Sequence, residues 1–314
     1  MRLTLVILAA GRSQRFGRPK QLEPVGPNGE SLFEYTVYDA IRAGCDRVVF
    51  VMPSDGGELF QTAVTNRLIR SIPVEFISQN PKDVPTGFRL PLGRHKPWGT
   101  AHAVLALRNV VREPFLVANA DDFYGPHSIR SLAHRLRTAL STADPSHFLT
   151  GYKVQDTAIP TKHGVNRGIC EIGASLILER LEEIFDVRKI DGAFVGRKNV
   201  DEEVMVPSNR LCSMNLWGFQ PSIFEHLGEE FGHFHERLDN EDESEFLLSQ
   251  TVSQLVETGR ARVHVVPTSD RAVGLTHPED LSAVQLTVSL ATANGDYPTN
   301  LGEWFKKRSG QVLK

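Results

Sequence analysis

Cysteine is scarce in this chain. The three present, Cys45, Cys170 and Cys212, follow no regular spacing among 314 residues. So sparse and odd a set excludes a disulfide framework and offers no zinc-ligand pattern. Long apolar runs are missing too. The N-terminus, MRLTLVILAAGRSQRFG, holds an apolar stretch of only about eight residues, too short to cross a bilayer. It looks like a secretory leader at first glance, but it is rich in β-branched residues and ends in Gly, which suits a buried first strand better. Nor does charge of one sign dominate: 35 Lys and Arg face 38 Asp and Glu, a net charge of −3. Affinity for nucleic acid rests mainly on neutralising many phosphates, so a general polyanion binder is not expected. A small phosphorylated ligand needs only a few local cations and stays open. These absences lead us to expect a soluble, cytoplasmic protein with no nucleic-acid and no membrane partner. Oligomeric state is not legible.

What is present is ordinary globular material, 40% hydrophobic and 23% charged, in a length that allows one large α/β domain or two small ones. The first half alternates. Leu3 to Leu8, Arg47 to Met52, Val74 to Ser78 and Phe115 to Ala120 read as continuous apolar strands. Helices are expected over Ser31 to Ala43, Glu58 to Ile69 and Thr100 to Val111. Uninterrupted apolar strands separated by helices predict a mainly parallel sheet covered on both faces. Beyond about residue 146 the pattern changes. His147 to Val154, Arg167 to Ile172 and Leu211 to Phe219 read as strands, Phe246 to Glu257 as a helix, Ala261 to Val266 as a strand and His277 to Thr292 as a helix. We expect one α/β domain over residues 1–293, with two parts at about 1–145 and about 146–293. An antiparallel lobe is added over the strand ends, and a loosely packed tail follows at 294–314.

The strongest local feature is LAAGRSQRFGRPKQL, residues 8 to 22. A strand runs into a turn holding Gly11 and Gly17, ringed by Arg12, Arg15, Arg18 and Lys20. Such a turn lets backbone N–H groups approach phosphate oxygens, and the cations supply the charge a triphosphate needs. Counting excludes a P-loop, because five residues rather than four separate the glycines and Arg18 follows Gly17. It also excludes the dinucleotide fingerprint, because position 13 is Ser. The plain alternative is a solvated basic loop. Its place directly after a buried strand favours ligand binding, since ligands of open α/β sheets sit outside the strands' carboxyl ends. A second feature, FLVANADDFYG (115 to 125), ends a buried strand in Asp121 and Asp122. A carboxylate there suits Mg²⁺, which takes one or two carboxylates plus phosphate oxygens. The alternative is a helix cap, more so for Asp122.

The run AAGRSQRFGRPKQL resembles the signature of the sugar-phosphate nucleotidyltransferases, carried here by Ala9, Ala10, Gly11, Arg15, Pro19 and Lys20. The resemblance continues through KPWGTAHAV and NADDFYG and more weakly to THPEDL. It implies a Rossmann-like fold of the glycosyltransferase-A type, with a mixed, mainly parallel sheet flanked by helices, a nucleotide-binding part at about 1–145 and a sugar-phosphate-binding part at about 146–293. It implies transfer of a nucleoside monophosphate from a nucleoside triphosphate, UTP or dTTP, to a sugar-1-phosphate, with Mg²⁺ as cofactor. By the same resemblance Ala10, Gly11 and Arg12 cradle the triphosphate. Arg15 holds the β and γ phosphates, and Lys20 bridges to the attacking phosphate. Gln79, Gly99 and Thr100 lie at the base; Gly168, Glu179, Arg180 and Asn215 lie at the sugar phosphate. Asp121 holds the metal. The second metal acid falls at Gly274 here, so Asp270, four residues earlier, stands in for it. Two departures are Ser13, where many members carry Gly, and Arg180, where Lys is usual. His102 and Trp217 are read as packing residues. Other readings are a cytidylyl- or guanylyltransferase acting on another phosphorylated acceptor, a glycosyltransferase of the same fold, and a catalytically silent nucleotide-binding protein. Pyrophosphate release separates the transferases from the last two.

Overall fold

The first strand, TLVIL, is buried at all five positions. A strand can be apolar on both sides only where helices cover both faces of the sheet, and a computed structural model of the chain places it so. The structure describes residues 2–11, 19–68, 70–85, 88, 94, 96–157, 163–199, 201–237 and 244–312. In chain order its elements begin with β1 (Thr4–Leu8), α1 (Leu32–Arg42), β2 (Arg47–Pro53), α2 (Glu58–Leu68), β3 (Val74–Gln79), α3 (Thr100–Leu105), β4 (Phe115–Asn119) and the short β5 (Asp122–Phe123). Then come α4 (Ser128–Ser141), β6 (His147–Lys153), β7 (Val165–Ile172), β8 (Leu178–Ile190), β9 (Ala193–Arg197), β10 (Glu203–Val206) and β11 (Leu211–Phe219). The chain closes with α5 (Ile223–Glu236), α6 (Leu248–Glu257), β12 (Val263–Pro267), the short β13 (Val273–Gly274), α7 (Leu281–Ala293) and α8 (Leu301–Val312).

One 11-stranded sheet runs through both halves, in the order β10-β9-β8-β7-β11-β4-β1-β2-β3, with β6 and β12 branching from β11. β1 pairs parallel with β2 and β4, and β3 extends the parallel part from β2. β11 pairs antiparallel with β4 and makes the sheet mixed. From β11 outward, β7, β8, β9 and β10 are each antiparallel to their neighbour, which forms the expected lobe. Alternate residues of the central strands feed two cores, one on each face. Leu5 and Ile7 join Phe33, Phe50 and Leu116; Val6 and Leu8 join Trp98, Val117 and Trp217. Among the described residues no helix is long and apolar enough to cross a membrane.

The C-terminal segment corrects the expectation of a loosely packed tail. Leu301 and Phe305 are fully buried, and Tyr297 donates a hydrogen bond to the buried Asp39 carboxylate at 2.7 Å. Burying such groups ties the segment to α1 rather than leaving it solvated. Elements without a clear signal in the sequence include α5 and the strands β8, β9 and β10.

One core residue makes stability depend on pH. His147, at the start of β6, is buried; burial first, then the nearby His226, holds its ring down to about 4. Its Nδ1 accepts a hydrogen bond from the Gln220 N–H, which needs the neutral ring. In the unfolded chain the ring takes a proton near pH 6.5. The unfolded state therefore binds the proton first, so stability is intact above about pH 6.5 and falls as the pH drops towards 4. The expected loss over that window is about 3 kcal/mol. Urea unfolding at a series of pH values reads it, and His147→Gln should flatten this acid limb whatever it does at pH 8.

Candidate active site

The carboxyl ends of β1 and β4 are neighbours because the two strands pair in register, Leu8 opposite Asn119. β1 continues into Ala9, Ala10 and Gly11; Arg12, Arg15 and Arg18 lie outside the described residues. The chain is described again from Pro19 and makes one 3₁₀ turn at Lys20–Leu22. The buried Gln21 closes the two ends of this loop. Its Nε2 donates to Gly11 O at 3.1 Å and reaches Ala9 O at 3.5 Å. The turn presents Lys20 towards β4. Its ammonium forms an ion pair with the Asp121 carboxylate and also donates to Leu275 O at 3.3 Å. The expected meeting of a cation from the glycine loop with the acid of the opposing strand is thus present, 101 positions apart in the chain.

The acids are held by a small second sheet. β5 pairs antiparallel with β13, Asp122 opposite Gly274, and Leu275 N–H donates to Asp121 O at 2.9 Å. A Cβ at Gly274 would overlap Asp122 Oδ1. Gly274 thus leaves room for Asp122 where the resemblance places a second acid. We expect Gly274→Asp to lose about 1–3 kcal/mol of stability in urea unfolding, through overpacking, and to gain no turnover. Asp122 Oδ2 accepts from Asn119 Nδ2 at 2.8 Å and lies 3.4 Å from the Tyr124 hydroxyl. Burial, and then the Asp121 charge beside it, push the Asp122 carboxyl upward.

Asp121 and Asp122 open onto a cleft of about 610 Å³. β4, β7, β8 and β11 form its floor through Asn119, Arg167, Gly168, Glu183, Ser213 and Asn215; Thr100 of α3 and Gln250 of α6 form one wall, and Thr276, His277 and Asp280 another. His163 stacks on His277 with ring centroids 4.7 Å apart. Arg167 is buried, and its guanidinium is committed to Thr157 Oγ1, Thr157 O and Asn166 O. Glu183 faces Gly168 across the β7–β8 pair, and burial raises its carboxyl although Arg167 opposes the shift.

Asp121, Thr100, Gly168 and Asn215, all expected at the site, line this cleft, and Lys20 reaches it through Asp121. Other expectations are corrected by the structure. Asp270 is buried under α4, where its carboxylate accepts from the backbone N–H groups of His127 and Ser128, both at 2.7 Å. It is a helix cap, outside the cleft-lining set, not a partner of Asp121. Arg180 lies 3.9 Å from Glu257 on an exposed face, and Glu179 packs against Gly173. Neither lines the cleft, because the β7–β8 register sets Arg180 opposite Glu171 and brings Glu183 opposite Gly168 instead. Gln79 is buried beneath α3, donating to Gly99 O at 2.8 Å and meeting His102 Nδ1 at 3.4 Å. It supports the Gly99 turn rather than facing the cleft. Gly99 adopts φ +110°, where a Cβ would meet the Phe246 carbonyl at 2.6 Å. His102 is the packing residue expected. With Nδ1 accepting from Gln79, its Nε2 donates to Asp83 O at 2.9 Å.

Sequence reasoning missed Gln21, Asn119 and Glu183. Asn119 was readable beside the two acids in NADD; the other two depend on contacts between distant segments. Among the described residues no group of three or more His, Cys, Asp or Glu side chains could hold a metal on its own. The Asp121–Asp122 pair, all oxygen, fits a hard divalent cation that takes its remaining ligands from phosphate and water.

Residues 5–148 match a family model described as a MobA-like NTP transferase domain. No curated protein matches the chain. Among solved structures, the fold is shared with the inositol-1-phosphate CTP transferase from T. maritima, at 18% identity and a TM-score of 0.60, over 92% of this chain and 95% of that one.

Proposed function

We propose that this nucleotidyltransferase, whose residues 5–148 match the MobA-like NTP transferase model, moves a nucleoside monophosphate from a pyrimidine nucleoside triphosphate to the phosphate of a small polyol. The acceptor is a sugar-1-phosphate or a cyclitol phosphate, and pyrophosphate is released. The observation that carries this reading is the contact of Lys20 with Asp121 at the mouth of the cleft. It sets a cation and a candidate metal-binding acid at one sheet edge, beside the Gln21–Gly11 contact. A glycosyl donor with two phosphates has less need of that cation.

In this reaction an acceptor phosphate oxygen attacks the α-phosphorus. The new P–O bond forms as the bond from the α-phosphorus to the bridging oxygen breaks, and that oxygen leaves with pyrophosphate. The phosphate nucleophile is ionised near neutral pH, so no general base is required. Catalysis then consists of positioning and charge neutralisation. Lys20 supplies one fixed charge, and Arg12 and Arg15 remain its proposed partners on the triphosphate. Asp121 and Asp122 would hold the divalent cation, Mg²⁺ by the hardness of the donors; when bound it neutralises phosphate oxygens. Asn166, Glu183 and Gln250 supply the mixed donors and acceptors that hydroxyl recognition needs.

The base is the open choice. UTP or dTTP follows from the resemblance, but Gln79, the residue expected to read it, is engaged with Gly99. CTP with inositol phosphate is favoured by the shared fold with an inositol-1-phosphate CTP transferase. A matrix of CTP, UTP, dTTP, GTP and ATP against hexose-1-phosphates and inositol phosphates, read by pyrophosphate release, tests the proposal. One pyrimidine row should respond with Mg²⁺ and fall silent with chelator. Nucleotide binding without pyrophosphate release in any pair would reject it.

A further inference from the structure

Asp122 ends a line of side-chain hydrogen bonds that starts in the core. The Nε1–H of the fully buried Trp217 donates to Asn215 Oδ1 at 2.7 Å. Asn215 Nδ2 donates to Asn119 Oδ1 at 2.8 Å, and Asn119 Nδ2 donates to Asp122 Oδ2 at 2.8 Å. Each amide, taken alone, could be turned end for end. The indole end of the line forbids it. An indole nitrogen only donates, so Asn215 Oδ1 must accept, and each amide in turn then pairs donor with acceptor as far as the Asp122 carboxyl. The backbone is shaped to the same end. The pairing of β11 with β6 shifts register between Ser213 and Trp217, and Asn215 sits within that shift at φ +60°. This left-handed conformation is one that Asn tolerates better than most residues.

We infer that Trp217 sets the direction of this amide line, and that Trp217, Asn215 and Asn119 are positioning residues for the Asp122 carboxylate. The inference rests on the reading of Asp121 and Asp122 as holders of a divalent cation. Asn119 fixes Oδ2, which leaves Oδ1 on the side of Gly274, where no Cβ intrudes. Trp217 is not among the residues lining the cleft, so it reaches the acid only through the two amides. Asn215 then serves the acid rather than an acceptor hydroxyl, since its Oδ1 and one donor of its Nδ2 are engaged within the line.

The test uses neutral substitutions of similar size and Mn²⁺ alone as the probe, read by the resonance of the free ion. Trp217→Phe keeps an aromatic ring but removes the donor; Asn215→Leu breaks the line. Both should lower Mn²⁺ affinity about tenfold, as loss of a partner that orients a metal ligand does, with the acceptor KM unchanged. In the unsubstituted chain Mg²⁺ should also shift the indole N–H resonance of Trp217, which stands even if Trp217→Phe fails to fold. Unchanged Mn²⁺ affinity in the folded variants, a static Trp217 resonance, no measurable Mn²⁺ binding by the unsubstituted chain, or a rise in acceptor KM alone would each overturn the inference. Absence of nucleotidyl transfer with these metal effects intact would overturn the proposed reaction and leave the amide line standing.

Discussion

Lys20→Ala is expected to lower kcat by roughly 10²–10³-fold, the range seen when one preorganised donor to a developing charge is removed. The lysine is well placed for such an effect. It emerges from a single turn whose neighbour Gln21 ties the loop shut, and its ammonium is fixed between Asp121 and Leu275 O. A charge held in place before the reaction needs no reorganisation as the phosphates shift charge towards pyrophosphate. Its folding contribution is modest by comparison, because a partly exposed ion pair contributes about 1 kcal/mol or less. The variant should therefore melt almost normally while losing turnover. Lys20→Arg should recover only part of the rate, since a planar fork does not replace a compact point charge. Single-turnover measurement with saturating triphosphate and acceptor separates the chemical step from binding. Near-normal turnover in Lys20→Ala would remove the lysine from the mechanism.

The parts of this site that were readable in the sequence are those that local pattern determines. The strands β1, β2 and β4 are unbroken apolar runs, because buried parallel strands must be, and the loop and acids at their ends fall next to each other once the strands pair. Lys20 and Asp121 follow from that logic. Glu183 does not. Its place depends on the register of β7 with β8, which is set by a turn at Ala174–Leu176 where Ser175 and Leu176, neither of them glycine, both adopt positive φ. β8 itself, LERLEEIFDVRKI, has charges spread along a half-exposed strand and so lacks the continuous apolar signal of the central strands. α5 was obscured by Gly228 and Gly232 and by three histidines within its span, although Leu227 and Phe231 form a fully buried stripe. α8 is mostly polar, and only the burial of Leu301 and Phe305 shows that it belongs to the core.

Asp270→Ala is expected to cost about 2–4 kcal/mol of stability and to leave the turnover of the folded protein unchanged. The carboxylate accepts the backbone N–H of His127 and of Ser128, the Ser128 hydroxyl at 2.8 Å and His127 Nδ1 at 2.9 Å. The first N–H groups of a helix have no partner within it, so a buried acid at that point satisfies donors that water cannot reach. Gly125 is part of the same fit, since at φ +80° it lets Asp270 approach to a distance that a Cβ would block. A lone acid in a coil segment reads equally well as a ligand or a cap in sequence, because the helix it caps lies 143 positions earlier. Paired measurements on Asp270→Ala and Asp270→Asn decide between the roles. A cap predicts lower urea midpoints, larger for Ala than for Asn, whose side-chain oxygen still accepts one N–H. A metal ligand predicts the reverse: normal unfolding, and turnover lost in both variants.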